Sequence, residues 1–152
     1  MVFVDTNVLV YATAVEAPLH ATASAALRDL SAQGEELWIS RQVVREYIVA
    51  LSRPQPWSAP LPPGELVRRA ELWEARCRVA DEDAEVAARL KVLVRQVPLG
   101  GKQVHDANLV ATMLARGVPR LLTHNVGDFE RFATLIELLP LRQWDVCEGT
   151  RD

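Results

Sequence analysis

The most informative stretch of the chain is Val2–Val10, VFVDTNVLV. Its first three residues are apolar and prone to form a β-strand, and they run directly into Asp5. A short apolar run with a polar boundary is typical of a strand buried on both faces of a sheet. The Asp5-Thr6-Asn7 step then favours a turn into a helix. This order predicts that Asp5 lies at the carboxyl end of a central strand, where open α/β sheets bind their ligands.

Two roles fit Asp5 at that position. It is either the first carboxylate of an active site or an ordinary cap of the following helix, and taken alone the residue fits the capping role at least as well. The active-site interpretation requires that the remaining chain supply other carboxylates at the same edge of the sheet.

Length and composition indicate one globular domain. The chain has 152 residues, of which 49% are hydrophobic, so it is long enough to bury a core and too apolar for a disordered protein. We expect a single domain over residues 1–144 and a loose tail over 145–152. The net charge of −3 provides no overall basic field for nucleic acid, so such binding would need a local basic patch or a partner.

The cysteines and the apolar segments indicate a cytoplasmic protein. Cys77 and Cys147 lie far apart without a CxxC pattern, which argues against a disulfide scaffold and a zinc site. Asp5 interrupts the N-terminal apolar run, so no signal peptide fits there. The longest apolar runs are too short to cross a bilayer, and we expect no membrane contact.

Periodicity and stop signals predict an alternation of strands and helices. The predicted helices cover 18–33, 41–53, 64–76, 81–97 and 104–117, and the later strands cover 36–40, 120–123 and 134–138. Residues 54–63 are rich in proline and are predicted to form a stiff extended loop, whereas 78–80 form a short extended segment. This alternation favours an α/β fold with a mainly parallel sheet covered by helices.

Two of these helices have an apolar face that we expect to point inward. The expected inward residues are Val43, Val44, Tyr47, Ile48 and Leu51 in the helix over 41–53, and Leu66, Val67, Ala70 and Trp73 in the helix over 64–76.

Four carboxylates are predicted to converge on one edge of the sheet. Asp5 and Asp128 follow strands, and Glu46 and Asp106 are placed in the first turns of helices. Four carboxylates in one pocket repel each other, and a pair at ~4 Å costs about 4 kcal/mol at an effective dielectric near 20. The cluster must therefore take up protons or bind cations. Hard oxygen ligands without cysteine favour Mg²⁺ or Mn²⁺.

The motifs around these acids resemble those of PIN-domain ribonucleases, and most closely the VapC-type toxins of bacterial and archaeal toxin–antitoxin pairs. The resemblance is based on Val4-Asp5-Thr6-Asn7, on Glu46 in the helix after the second strand, and on His105-Asp106-Ala107. The most specific motif is THNVGDF over Thr123–Phe129, a T-x-N-x-x-D-F pattern. The resemblance covers nearly the whole chain, in the expected order.

The resemblance implies a three-layer α/β/α sandwich and Mg²⁺- or Mn²⁺-dependent hydrolysis of RNA phosphodiester bonds. It also implies a cognate antitoxin as partner and a homodimer. The acidic quartet of the family matches Asp5, Glu46, Asp106 and Asp128. Thr6 or Asn7, and Thr123 or Asn125, would orient these carboxylates and the attacking water.

A weaker RNA-binding prediction comes from the basic residues near the acids. Arg41 and Arg45 share a helical face just before Glu46, and Lys102 precedes Asp106, so these side chains could meet phosphates at the rim of the pocket. His105 and His124 flank the acidic candidates. Each is either an RNA or supporting contact or, more simply, a surface histidine.

Three other interpretations explain parts of the sequence less well. Gly100-Gly101-Lys102 lacks the earlier glycine and the following Ser or Thr of a phosphate-binding loop, so a flexible loop is the better interpretation.

A HAD-type phosphatase also begins with a strand ending in aspartate, but it needs a second aspartate where this chain has Asn7. The third alternative is a non-catalytic module that keeps the fold and sequesters a partner.

Overall fold

The computed structural model describes residues 1–145 of the chain. In chain order the elements are β1 (Val2–Val4), α1 (Thr6–Thr13), α2 (His20–Ala32), β2 (Leu37–Ser40), α3 (Arg41–Leu51), α4 (Pro63–Arg76), β3 (Arg78–Ala80), α5 (Ala84–Gln96), α6 (Gln103–Arg116), β4 (Arg120–Thr123), α7 (Val126–Phe129) and β5 (Glu137–Pro140). Two 3-10 turns in this range cover Glu130–Phe132 and Leu141–Trp144. Most of the predicted tail, including Cys147, lies outside the described residues.

The sheet is parallel throughout, and β1 lies at its centre. Within residues 1–145 it has five strands in the order β3-β2-β1-β4-β5. Val2, Phe3 and Val4 are each 0% exposed, which confirms the prediction of a strand buried on both faces. The predicted parallel α/β fold is therefore correct.

The strand order reverses between β1 and β4. The chain moves from β1 through β2 to β3, returns to the other side of β1, and continues from β4 to β5. Right-handed crossovers then place α1–α4 on one face of the sheet and α5–α7 on the other. The carboxyl ends of β1 and β4 therefore flank the switch point, where sheets of this type leave a crevice for a ligand.

The helices pack as neighbours on these faces. α1 packs against α2 and α3, α3 packs against α4, and α5 packs against α6. Gly117 ends α6 in a left-handed conformation with φ of 66°, which glycine adopts without strain. Within the described range, none of the helices has both the length and the apolar character needed to cross a membrane.

The third and fifth strands differ from the predictions. The extended segment 78–80 pairs with β2 and forms the edge strand β3. The last strand covers Glu137–Pro140 rather than 134–138. The amides of Leu135 and Ile136 both donate to the carbonyl of Phe132, so these residues still belong to the turn and cannot pair with β4.

The predicted start of α5 was wrong. Asp83, not Asp81, caps this helix, because its Oδ1 accepts a hydrogen bond of 3.1 Å from the amide of Val86. Asp81 instead accepts a hydrogen bond from Nε of Arg41 at 2.9 Å. Either aspartate has a side chain suited to capping this helix, but that of Asp81 is held in an ion pair with Arg41 of α3.

Two apolar side chains face solvent against expectation. Ile48 is 36% exposed and Val67 is 52% exposed. α3 buries Val43, Tyr47 and Leu51, and α4 likewise buries a narrow stripe. Each helix therefore contacts the core along a stripe narrower than its apolar face.

The proline-rich segment is not simply extended. The amide of Gln55 donates to the carbonyl of Ser58 at 2.9 Å, and the amide of Ser58 donates back at 3.3 Å. These bonds close a tight turn with Pro56 in its second position, where the fixed φ of proline is favourable.

Candidate active site at the carboxyl edge of the sheet

Asp5 occupies the predicted position, where it caps α1 and also lines a cavity with other carboxylates. It follows β1 and is only 7% exposed. Its Oδ1 accepts a hydrogen bond of 2.7 Å from the amide of Thr6 and so caps α1. Its Oδ2 accepts from Nδ2 of Asn7 at 2.8 Å and from Oγ1 of Thr123 at 2.7 Å. All of these donors are neutral.

Burial raises the pKa of Asp5 to about 6. The hydrogen bonds from Thr123, Thr6 and Asn7 lower this pKa, whereas the charge of Glu46 raises it further. The balance arises because neutral donors stabilise a carboxylate less than a cation does, and they do not offset its desolvation.

Glu46 lies beside Asp5, but in the second turn of α3 rather than the first. It is the sixth residue of a helix that begins at Arg41, which corrects the predicted placement. Thr6 Oγ1 donates to its Oε2 at 3.0 Å, and Gln42 Nε2 donates to its Oε1 at 2.8 Å. Thr6 therefore connects the two carboxylates, since its amide binds Asp5 and its hydroxyl binds Glu46.

Gln42 is a positioning residue that sequence reasoning missed. It is 2% exposed, and Nε2 also donates to the carbonyl of His105 at 2.9 Å. Its Oε1 accepts from Nδ2 of Asn108 at 2.8 Å. These bonds join α3 to α6 and hold Glu46 at the edge of the sheet. The available signal was a polar residue one helical turn before Glu46, on the same side of the helix.

Asp106 and Asp128 complete the acidic cluster. Asp106 lies in the first turn of α6 and is half-buried, whereas Asp128 lies in α7 and is exposed. The pKa of Asp106 is raised to about 6, first by burial and then by the charges of Asp128, Asp5 and Glu46. Arg131 opposes this shift. The charges of the other three carboxylates act on Asp106, so the four side chains lie close to one another.

That space is an open cavity of about 500 Å³. Seven of the predicted site residues line it, namely Asp5, Thr6, Asn7, Glu46, Asp106, Asn125 and Asp128. Thr123 is fully buried next to Asp5, and its Oγ1 accepts a hydrogen bond of 3.0 Å from the amide of Asn125. The remaining wall is formed by Val10, Tyr11, Ala50, Gln55, Pro56, Trp57 and Phe129.

The predicted RNA-binding cations are not on this wall. Arg41 binds Glu74 at 2.8 Å and Asp81 at 2.9 Å, and Arg45 lies 3.7 Å from Glu82. Lys102 is exposed directly before α6. An RNA contact of these residues stays a prediction, and for Arg41 it would compete with existing ion pairs.

The two candidate histidines differ in their surroundings. His105 is exposed and contributes its backbone carbonyl to Gln42. His124 is also exposed, its amide donates to Oδ1 of Asn7 at 3.1 Å, and its ring packs edge-on against Tyr11 with centroids 5.6 Å apart.

The donor set suits a hard cation held partly by water. Across residues 1–145, no basic side chain forms an ion pair with Asp5, Glu46, Asp106 or Asp128. In the same range no three acidic, histidine or cysteine side chains are close enough to form a cage for a metal ion. Mg²⁺ rarely uses such a cage, since it commonly binds one or two carboxylates, several waters and substrate phosphate.

Comparison with protein-family models matches residues 2–135 to the PIN domain. No curated protein shows significant sequence similarity to the chain.

Solved structures show the same fold. VapBC2 from Rickettsia felis, bound to a DNA fragment from its promoter, is similar with a TM-score of 0.64 and 19% identity over 92% of this chain and 98% of that one. A toxin–antitoxin complex from Klebsiella pneumoniae has a TM-score of 0.66 and 18% identity, covering 93% and 98%. VapC20 of Mycobacterium tuberculosis, described as a sarcin-ricin loop cleaving toxin, has a TM-score of 0.64 and 20% identity, covering 92% and 100%.

Proposed function

The chain belongs to the PIN-domain family, and from this premise we propose that it is a divalent-metal-dependent endoribonuclease of VapC type. The observation that carries the proposal is the acidic cavity. Carboxylates from four elements, Asp5, Glu46, Asp106 and Asp128, face one space, and within residues 1–145 no ion pair neutralises them.

The residues present fit Mg²⁺ or Mn²⁺. Carboxylate oxygens are the ligands that these ions prefer, and Asp5 and Asp106 both have a raised pKa that a nearby cation would lower. When bound, such an ion supplies the Lewis acidity that makes water a nucleophile near neutral pH and offsets charge on the phosphoryl oxygens.

The chain's own residues hold the carboxylates in place. Thr123 and Asn7 orient one oxygen of Asp5, and Thr6 and Gln42 orient Glu46. All these donors are neutral, so they fix geometry without cancelling the negative charge. Asp128 is exposed at the rim, where it is accessible to substrate. This arrangement fits hydrolysis of a phosphodiester that enters the cavity together with cations.

The proposal includes restraint by a cognate antitoxin. The similar structure from Klebsiella pneumoniae is a toxin–antitoxin complex. We expect the antitoxin of this chain to cover a groove with an apolar segment and to place a basic residue in the acidic cavity, which lacks an ion pair of its own in the described range. If the product of a neighbouring gene neither binds nor inhibits the purified protein, this part of the proposal fails. A homodimer is also expected.

The test of the proposed activity is cleavage of a mixed RNA pool by purified protein in Mg²⁺, Mn²⁺ or EDTA. We expect cutting with either metal, none with EDTA, and loss of cutting in Asp5→Asn and Asp128→Asn. The matched control is Glu65→Gln, which neutralises a carboxylate already paired with Arg68 and Arg69. If cutting does not need a metal ion, or if all variants cut equally well, the activity does not depend on the acidic cavity. A folded protein that cuts nothing would favour the non-catalytic binding module.

A further inference from the structure

An aromatic wall borders the acidic cavity. We define this wall as Trp57, Tyr11 and His124. Tyr11 and Trp57 line the same cavity as the carboxylates, and their ring centroids lie 6.4 Å apart with 62° between the planes. The ring of His124 meets Tyr11 edge-on, at 5.6 Å and 84°. The wall therefore extends from the proline-rich turn to the end of β4.

The turn that carries Trp57 is attached to α3. Two backbone hydrogen bonds between Gln55 and Ser58 close the turn. The side-chain amide of Gln55 donates to the carbonyl of Ala50 at 2.7 Å, and the amide of Leu61 donates to the carbonyl of Leu51 at 2.9 Å. The indole is therefore held by the same helix that carries Glu46.

The polar groups of Trp57 and Tyr11 are not used within the fold. Among residues 1–145 neither the indole N–H nor the Tyr11 hydroxyl has a hydrogen-bond partner, whereas Trp73 donates to Thr13 at 3.2 Å and Trp38 donates to Glu36 at 2.8 Å. Trp57 and Tyr11 are both half-buried. The O–H of Tyr and the N–H of Trp usually find a hydrogen-bond partner when they are buried, so the unused groups of these two half-buried rings are available to a ligand.

We propose that the aromatic wall, with Trp57 as its main surface, stacks one base of the RNA beside the phosphate that is cleaved. This inference rests on the proposed function. The lining of the cavity contains carboxylates and no Lys or Arg among the described residues, so direct phosphate pairing cannot provide affinity there. Base–aromatic stacking is uncharged and tolerates an acidic neighbourhood. Bases inside an A-form helix cannot reach such a platform, whereas bases in loops can.

The test uses a single-stranded oligoribonucleotide that the protein cuts once in Mn²⁺. Two further versions each carry an abasic nucleotide, on one or the other side of the cut. We expect one abasic version to lose about tenfold in kcat/KM with the unmodified protein. Trp57→Ala and Trp57→Leu should lose about tenfold on the intact oligonucleotide and nothing further on that abasic version, and Trp57→Phe should recover most of the loss.

Trp38→Ala is the matched control, because it removes an indole whose N–H is already paired with Glu36. It should cut all three oligonucleotides like the unmodified protein. Circular dichroism checks that each variant is folded, and the two aliphatic replacements of Trp57 guard against one of them failing to fold. Equal cutting by Trp57→Leu and the unmodified protein overturns the proposal. So does a loss that is the same on intact and abasic RNA, or a loss confined to binding of a protein partner.

The proposed function and the stacking site fail in distinguishable ways. If the folded protein cuts no RNA in Mn²⁺, the nuclease proposal fails. Fluorescence anisotropy then tests the wall alone, with a labelled single-stranded oligoribonucleotide that binds the protein and with versions of it that each carry one abasic nucleotide. Binding that weakens about tenfold for one abasic version, and equally for Trp57→Leu, supports stacking. If neither the abasic nucleotide nor Trp57→Leu weakens binding, the stacking proposal is wrong.

Discussion

The carboxylates of the cavity and those of the outer surface have opposite surroundings. Asp5 and Glu46 accept hydrogen bonds only from neutral donors, whereas Glu65 accepts from the guanidiniums of Arg68 and Arg69. Burial raises the pKa of Asp5 to about 6, whereas the hydrogen bonds from Arg68 and Arg69 lower that of Glu65 to about 2. Several surface acids, such as Glu65, are therefore neutralised by arginines of the chain, whereas the charge of the cavity is left for a ligand.

The absence of cationic side chains paired with the cavity carboxylates, among the described residues, should lower the stability of the folded protein. Carboxylates that face each other without a cation repel, and each buried one also loses hydration. Sites of this kind commonly reduce stability in exchange for activity.

The largest difference should appear in catalysis. Asp106→Asn removes one carboxylate of the cavity while keeping its shape, and we expect RNA cleavage in Mn²⁺ to fall roughly 100-fold or more because cation binding and charge stabilisation are impaired. Initial rates on a labelled substrate measure this. Glu65→Gln should remain within about twofold of the unmodified protein. If both variants lose cleavage activity to a similar extent, the acids of the cavity and those of the surface do not differ in catalysis.

Gln42→Leu should have the next largest effect. It takes a donor from Glu46 and leaves the carbonyl of His105 and the amide of Asn108 without this partner. We expect roughly tenfold slower cleavage and a loss of about 1–3 kcal/mol in the free energy of unfolding, as for other unsatisfied buried polar groups. Urea denaturation and kinetics measure the two effects. Gln96→Leu, at an exposed position in α5, is the control, and a Gln42 variant that matches it would contradict the positioning role.

Stability without metal should fall as the pH rises from about 4 to about 6. In this range Asp5 and Asp106, whose folded pKa values are about 6, still hold protons in the folded state, whereas the unfolded carboxyls near 3.9 have lost them. The folded state therefore binds more protons, and ionising these groups destabilises it. Glu35, Glu65 and Asp83 have lowered pKa values, so they contribute stability above their unfolded pKa and lose it below about pH 4.

Denaturation in EDTA between pH 4 and pH 7 measures this dependence. Asp106→Asn should be more stable than the unmodified protein at pH 7, by on the order of 1 kcal/mol after allowance for solvent screening. Mn²⁺ should stabilise the unmodified protein more than this variant. If stability instead rises steadily from pH 4 to pH 6 in EDTA, ionisation of the cavity acids does not destabilise the folded state.

The smallest effect should come from the surface pairs. Glu65→Gln breaks the contacts with Arg68 and Arg69, and exposed pairs of this kind contribute little to folding. We expect the urea midpoint to change by close to the error of the measurement at 0.5 M salt, and only slightly more at low salt. A large loss would mean that this pair is structurally important, and that surface and cavity acids differ less than proposed.

Local patterns were sufficient for the main elements and for the acidic residues. β1 was predicted from three apolar residues followed by a capping aspartate, and β4 matches its predicted range of 120–123. The carboxylates could be chosen because acids at strand ends and early in helices converge on one edge of a parallel sheet. Positions that depend on partners distant in sequence were missed or misplaced, such as the cap at Asp81, the edge strand β3 and the inward face of Val67.

The sequence by itself determined a parallel α/β fold, with Asp5, Glu46, Asp106 and Asp128 at its carboxyl edge. Only the tertiary structure decided how these acids are supported. Gln42 joins α3 to α6 across 63 residues of sequence, and Thr123 reaches Asp5 across 118. Trp57 comes to the cavity because a turn is fastened to the end of α3. Periodicity reports which side of an element is buried, but hydrogen bonds and ring contacts depend on which elements meet. That is settled by packing of the whole chain.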